Sequence, residues 1–242
     1  LSAAYGLRAD QGWVAMVGER LAREHPGWQV VNASISGETS AGGSARVVEE
    51  VLRHRPGVMV IALGANDALR GLPLPELRRN LARMVGASRH VGARVLLVGM
   101  RMPPNLGPDY TRGFEQTYRD LAAFFDVELL PFLLEPVAAD RGNFMDDNLH
   151  PTAEAQPAIA ARREIGRAVI AGPRWSRCCA EHHARSGRAA GEQRPGVDRR
   201  ALPPALFGAE QEDREVQVRR GGIGVAAAAD VADDLALAQR GA

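Results

Sequence analysis

Residues 58–63, Val-Met-Val-Ile-Ala-Leu, form an uninterrupted apolar run that stops at Gly64-Ala65-Asn66-Asp67. Six apolar residues without alternation suit a strand buried on both faces, which points to a parallel sheet covered by helices. Residues 94–100 repeat the pattern. Between the two, the spacing of Leu77, Leu81, Met84 and Val85 predicts a helix over 75–90. Upstream, Trp13, Val14, Val17 and Leu21 predict a helix over 10–24, residues 30–34 a strand, and Val48, Val51 and Leu52 a helix over 41–53. Downstream, a loop rich in Pro, Asn and Gly (101–108) precedes a helix with Phe114, Tyr118, Leu121 and Phe125 on one stripe, which reads as core packing. A strand over 127–130 and a helix over 153–170 complete the series. Strands alternating with helices define an α/β fold. In such sheets ligands bind beyond the carboxyl ends of the strands, where the turns at Gly37, at 64–67 and at 147–150 can meet.

The pattern breaks at about Trp175. A folded domain over 1–172 is expected, followed by a low-order tail over 173–242 rich in Arg, Gly, Ala and Glu. The change is abrupt enough to suggest translation out of frame, and residues 224–239 could form a weak Ala-rich helix. Cys178, Cys179, His182 and His183 invite a metal reading, but adjacent ligands of each type strain tetrahedral closure. A disordered tail is the simpler account, and no metal is expected. The two cysteines are neighbours, so no disulfide framework exists. All 30 basic residues are Arg, yet the net charge is only +1, which argues against a nucleic-acid partner. No apolar run approaches membrane-span length, and no signal peptide is visible.

Chemistry-bearing residues gather in three stretches. In Asp146-Asp147-Asn148-Leu149-His150-Pro151, a carboxylate three residues before a histidine can hold one imidazole nitrogen and leave the other to take a proton. Alone, the segment also reads as a capped turn, with His150 a loop residue. Ser36-Gly37-Glu38-Thr39 and Gly64-Ala65-Asn66-Asp67 offer a glycine N–H and an asparagine amide, suitable donors to a tetrahedral oxyanion. Singly, Gly37 reads as a turn glycine and Asn66 as a helix cap. No Gly-x-Ser-x-Gly elbow occurs, which removes a conventional α/β-hydrolase. There is no Lys for a Walker motif and no Gly-x-Gly-x-x-Gly after a strand; Gly42-Gly43 is read as loosening the start of a helix.

These blocks, with residues 31–40, 63–67, 101–105 and 129–132, resemble the SGNH (GDSL-type) hydrolases, specifically the bacterial acyl-CoA thioesterase I, arylesterase and lysophospholipase subgroup. The resemblance runs over residues 1–170. It implies a three-layer α/β/α flavodoxin-like sheet of order 2-1-3-4-5, and a serine esterase or thioesterase that acts through an acyl-enzyme without cofactor. It assigns the oxyanion donors to Gly37 (backbone N–H) and Asn66 (side-chain amide). His150 becomes the general base, with Asp147 orienting it and Asp146 the competing choice. An acyl ester or thioester substrate, a monomer and a periplasmic or secreted location are implied by the same analogy. The family's first block is Gly-Asp-Ser-Leu-Ser, and Leu1-Ser2-Ala3-Ala4-Tyr5-Gly6 matches the residues after its nucleophile. The nucleophile is therefore expected immediately before Leu1, and the chain as written is expected to lack both it and the first strand, leaving two strand edges exposed. Ser2 is the weaker candidate for that role. A catalytically dead binding protein on the same fold is the rival reading.

Overall fold

The computed structural model describes residues 1–170 and 222–226. A five-stranded parallel sheet forms the middle layer, in spatial order β1-β5-β2-β3-β4. Its strands are β1 (Gln29–Asn32), β2 (Pro56–Ile61), β3 (Arg94–Val98), β4 (Glu128–Leu130) and β5 (Gly222–Ala226). The helices are α1 (Trp13–Glu24), α2 (Ser40–His54), α3 (Ala65–Leu69), α4 (Leu74–His90), α5 (Pro108–Phe125), α6 (Gln156–Ala160) and α7 (Arg163–Ile170).

The apolar run of β2 is buried on both faces because successive side chains point in opposite directions. Val58, Val60 and Ala62 join one core with Trp13, Val17 and Leu21 of α1, Ile159 of α6 and Ile165 of α7. Met59, Ile61 and Leu63 join a second core with Val47 and Val51 of α2, Leu81 and Met84 of α4, and Phe114 and Tyr118 of α5. Each fully buried Leu, Ile or Phe contributes about 1.5–3 kcal/mol against exposure. The expected α/β/α layering follows from these two cores.

Several local expectations are corrected. In α2 the buried stripe is Val47 and Val51, while Val48 and Leu52 are exposed. Gly43 also has a packing role: a Cβ there would lie 2.3 Å from Leu63 Cδ1, so the glycine lets α2 sit directly against the segment that follows β2. The single helix expected over 153–170 is a 3-10 turn at Ala153–Ala155 followed by α6 and α7, broken at residues 161–162.

The largest difference lies between β1 and β2. The edges expected to be exposed there are paired on both sides by β5, with Val30 opposite Ile223 on one flank and Met59 opposite Gly224 on the other. Residues 224–226, expected to begin a helix, are strand instead. The tail reading of the remaining residues after Gly172, and the Cys178, Cys179, His182 and His183 cluster with it, lies outside the described residues. Among the described residues no helix is long and apolar enough to cross a membrane, and no group of three or more metal-ligating side chains occurs.

Candidate active site

The carboxyl end of β2 leads through Leu63 and Gly64 into α3. Gly64 takes φ 118°, and a Cβ there would lie 2.1 Å from the Tyr118 hydroxyl, which donates to the Leu63 carbonyl at 2.7 Å. Glycine alone fits that turn. It delivers Asn66, fully buried, with its Nδ2 donating to the Glu38 carbonyl at 2.9 Å. Asn66 and the turn that carries Gly37 are therefore in direct contact. Gly37 itself has φ 76°, and its carbonyl accepts from Arg70 at 3.3 Å. A primary amide has two N–H groups, and the bond to Glu38 uses one. Asn66 Oδ1 is buried without a hydrogen-bond partner.

Glu38 is held in turn by Arg46, which donates to its carboxylate at 2.6 and 2.8 Å and to the Ala33 carbonyl at 2.7 Å. Hydrogen bonding to Glu38 pushes the Arg46 guanidinium above its ordinary value, against the effect of its partial burial.

The Asp147–His150 loop is a tight reversal. Met145 N–H donates to the His150 carbonyl at 2.8 Å, and Phe144 bridges Pro151. Asn148 takes the left-handed conformation at φ 60°, which asparagine tolerates better than most residues. Asp147 Oδ1 accepts from the backbone N–H of Leu149 at 2.8 Å and of His150 at 3.0 Å, and Oδ2 lies 2.6 Å from His150 Nδ1. Burial pushes the Asp147 carboxyl up, but the hydrogen bonds from His150 and Leu149 outweigh it and hold it below the usual carboxylate range. An ionised carboxylate only accepts, so Nδ1 carries a proton, and in a neutral imidazole so held the lone pair falls on Nε2. Asp146 is exposed, and its backbone carbonyl, not its carboxylate, takes part in the loop by accepting from Arg141 and Asn148.

Because its folded value is lowered, the stability that Asp147 contributes is present above its ordinary value and is lost as pH falls through the depressed one. The stability difference between the protein and its Asp147→Asn variant should therefore shrink on acidification below about pH 4. Urea unfolding at a series of acidic pH values checks this; a constant difference would contradict it.

His150 is 4% exposed and borders a cavity of about 270 Å³ with Leu1, Ala65, Leu69, Met102, Phe132 and Leu149 among its walls. Ala65 thus brings the Asn66 turn to the same cavity as His150. The Tyr5 ring lies against the imidazole, centroids 4.8 Å apart. Nothing in the sequence signals that contact, nor the bonds of Arg46. Ser2 is 1% exposed, and its Oγ is buried without a hydrogen-bond partner, so it makes no bond to His150.

The sequence profile of the GDSL-like Lipase/Acylhydrolase family matches residues 1–157. The chain is similar to Esterase TesA of Pseudomonas aeruginosa, at 46% identity over 66% of this chain and 79% of that one. It is also similar to Thioesterase 1/protease 1/lysophospholipase L1 of Escherichia coli, at 38% identity over 66% of this chain and 76% of that one. The crystal structure of TesA matches with a TM-score of 0.65 at 44% identity, over 69% of this chain and 92% of that one. The psychrotrophic esterase EstA from Pseudoalteromonas sp., inhibited by monoethylphosphonate, matches with a TM-score of 0.66 at 34% identity, over 71% and 92%.

Proposed function

Since the chain belongs to the GDSL-like lipase/acylhydrolase family, a family of carboxylic ester hydrolases, we propose that it supplies the base, the orienting carboxylate and the oxyanion donors of a serine esterase for small and medium acyl esters or thioesters. The observation that carries this reading is the 2.6 Å Asp147–His150 pair beside an apolar cavity. His150 Nε2 takes the proton of a serine hydroxyl as that oxygen attacks the acyl carbonyl, and Asp147 stabilises the imidazolium that forms. Gly37 N–H and the remaining Asn66 N–H receive the oxyanion. The tetrahedral adduct collapses to an acyl-enzyme, His150 returns the proton to the departing alcohol or thiol, and water repeats the sequence.

The nucleophilic hydroxyl belongs, on this reading, to a serine immediately ahead of Leu1. Leu1 on the wall of the His150 cavity supports that position. The unpartnered Ser2 hydroxyl does not favour Ser2 as a substitute. The cavity lies just under the roughly 300–1,000 Å³ of typical drug-sized pockets, and its walls are mostly apolar, which suits an acyl chain of modest length. Export from the cytoplasm belongs to the same proposal and is tested by fractionating the producing cells.

The decisive experiment compares this chain with a version carrying a strand that ends in Gly-Asp-Ser ahead of Leu1. The extended form should hydrolyse p-nitrophenyl butyrate and octanoate faster than the palmitate, and Ser2→Ala should leave its rate unchanged. A folded extended form that binds these esters without turnover would replace the esterase reading with that of a binding protein.

A further inference from the structure

A buried carboxylate next to Asn66 has no part in the proton transfers of His150. Asp67 is 2% exposed, and among the described residues no ion pair involves it. Its partners are instead at the start of α2. Oδ2 accepts the Ser40 backbone N–H at 2.8 Å, and Oδ1 accepts the Ser40 hydroxyl at 2.5 Å. Ser40 is fully buried, and its Oγ accepts a further bond from Asn80 Nδ2 at 3.0 Å. An unsolvated carboxylate at the first turn of a 15-residue helix is stabilised by the N–H groups and partial positive charge of that end. Two direct donors add charge-assisted hydrogen bonds.

We propose that Asp67 is a positioning residue that fixes the two oxyanion donors relative to each other. This rests on the esterase reading of the same site. Asp67 follows Asn66 directly, and Ser40 lies three residues after Gly37. Two sets of bonds therefore tie the same pair of loops: Asn66 to the Glu38 carbonyl, and Ser40 to Asp67. One bond alone would leave a pivot about its axis. The second, one residue further along the Asn66 loop and two further along the Gly37 loop, removes it. The glycine N–H and the asparagine amide are then held as a pair whose spacing does not depend on substrate. A carboxylate suits this position because it accepts from an N–H and an O–H at once. Asn80, by donating to Ser40 Oγ, turns the serine hydrogen toward Asp67. Oxyanion donors act only as charge develops, so a disturbed pair should lower kcat and leave KM nearly unchanged.

The test uses the extended, serine-bearing protein with p-nitrophenyl butyrate, and four variants: Asn66→Ala, Asp67→Ala, Asp67→Asn and Ser40→Ala. Displacement of reacting geometry by about 1 Å can cost about 100-fold. Asp67→Ala should accordingly lower kcat by about 100-fold, with KM within about threefold. Asp67→Asn keeps an acceptor for the Ser40 N–H and should recover part of the loss. Adding Asp67→Ala to Asn66→Ala should cost far less than it does alone, because both act on one group. Where Asp67→Ala does not fold, Ser40→Ala and Asp67→Asn carry the comparison. Folded variants that melt earlier yet keep kcat would assign Asp67 to stability alone and overturn the proposal. If Asn66→Ala itself leaves kcat unchanged, the oxyanion reading fails instead.

Discussion

In the serine-bearing protein, His150→Ala should reduce kcat for p-nitrophenyl butyrate by about 10⁴-fold or more, while KM moves within about threefold. The magnitude reflects the imidazole's part in two steps. Without it the serine proton has no acceptor in hydrogen-bond reach during attack, and the departing alkoxide or thiolate has no donor. The neighbouring residues offer no replacement: the cavity wall around His150 is largely apolar, and Asp147 is turned toward the Leu149 and His150 backbone N–H groups. The variant should still fold, since the two backbone bonds that shape the Asp147 loop do not involve the imidazole. Asn66→Ala removes one oxyanion donor and should cost less, about 10²–10³-fold. Combining the two should not multiply the losses, because without the base the tetrahedral adduct that Asn66 would stabilise rarely forms. Steady-state kinetics on the three variants check the order. Near-normal turnover in His150→Ala would remove the histidine from the mechanism.

Much of the fold was legible where burial leaves one arrangement. An unbroken apolar run such as 58–63 has to be covered on both sides, and the Leu77-Leu81-Met84-Val85 stripe has one phase. In α2 the apolar residues 47, 48, 51 and 52 form two adjacent stripes, and periodicity cannot say which of them faces the sheet. The position of Leu63 and Met84 against Gly43 decides it, by bringing Val47 and Val51 inward. The Asp-x-x-His spacing gave the contact between Asp147 and His150 because three residues of tight loop leave little freedom. The same spacing favoured Asp147 over Asp146, which stands one residue further from His150 and whose backbone carbonyl serves the loop instead. The bonds of Asp67 to Ser40 join residues 27 apart in sequence, and no local pattern reports them. β5 was the least legible element. Gly-Ile-Gly-Val-Ala has little intrinsic strand preference, so its place comes from the two edges that it pairs rather than from its own residues.

A proline at Val225 should therefore unfold far more than five residues. Val225 stands opposite Asn32 on one side and Val60 on the other, in the interior of the sheet. Proline there removes an N–H donor, cannot be accommodated in a central ladder, and leaves a buried acceptor unpaired at a cost of about 1–3 kcal/mol. Against a total stability of about 5–15 kcal/mol, that is a large share. The loss should be directional. β2 also pairs with β3 and keeps that partner, whereas β5 is the one strand among the described residues that β1 pairs with. Backbone amides at Val30 and Val31 should lose hydrogen-exchange protection before those at Met59 and Val60. With β1 loosened, the segment after it, which carries Gly37, loses its anchor on that side and is left with Arg46, Asn66, Asp67 and Arg70 to hold it. The same variant in the serine-bearing protein separates two occupants of one slot. If the added upstream strand takes the place of β5, Val225→Pro should leave its melting temperature unchanged, although it destabilises the shorter chain. An unchanged urea midpoint in the shorter chain as well would mean that β5 does not hold this sheet together.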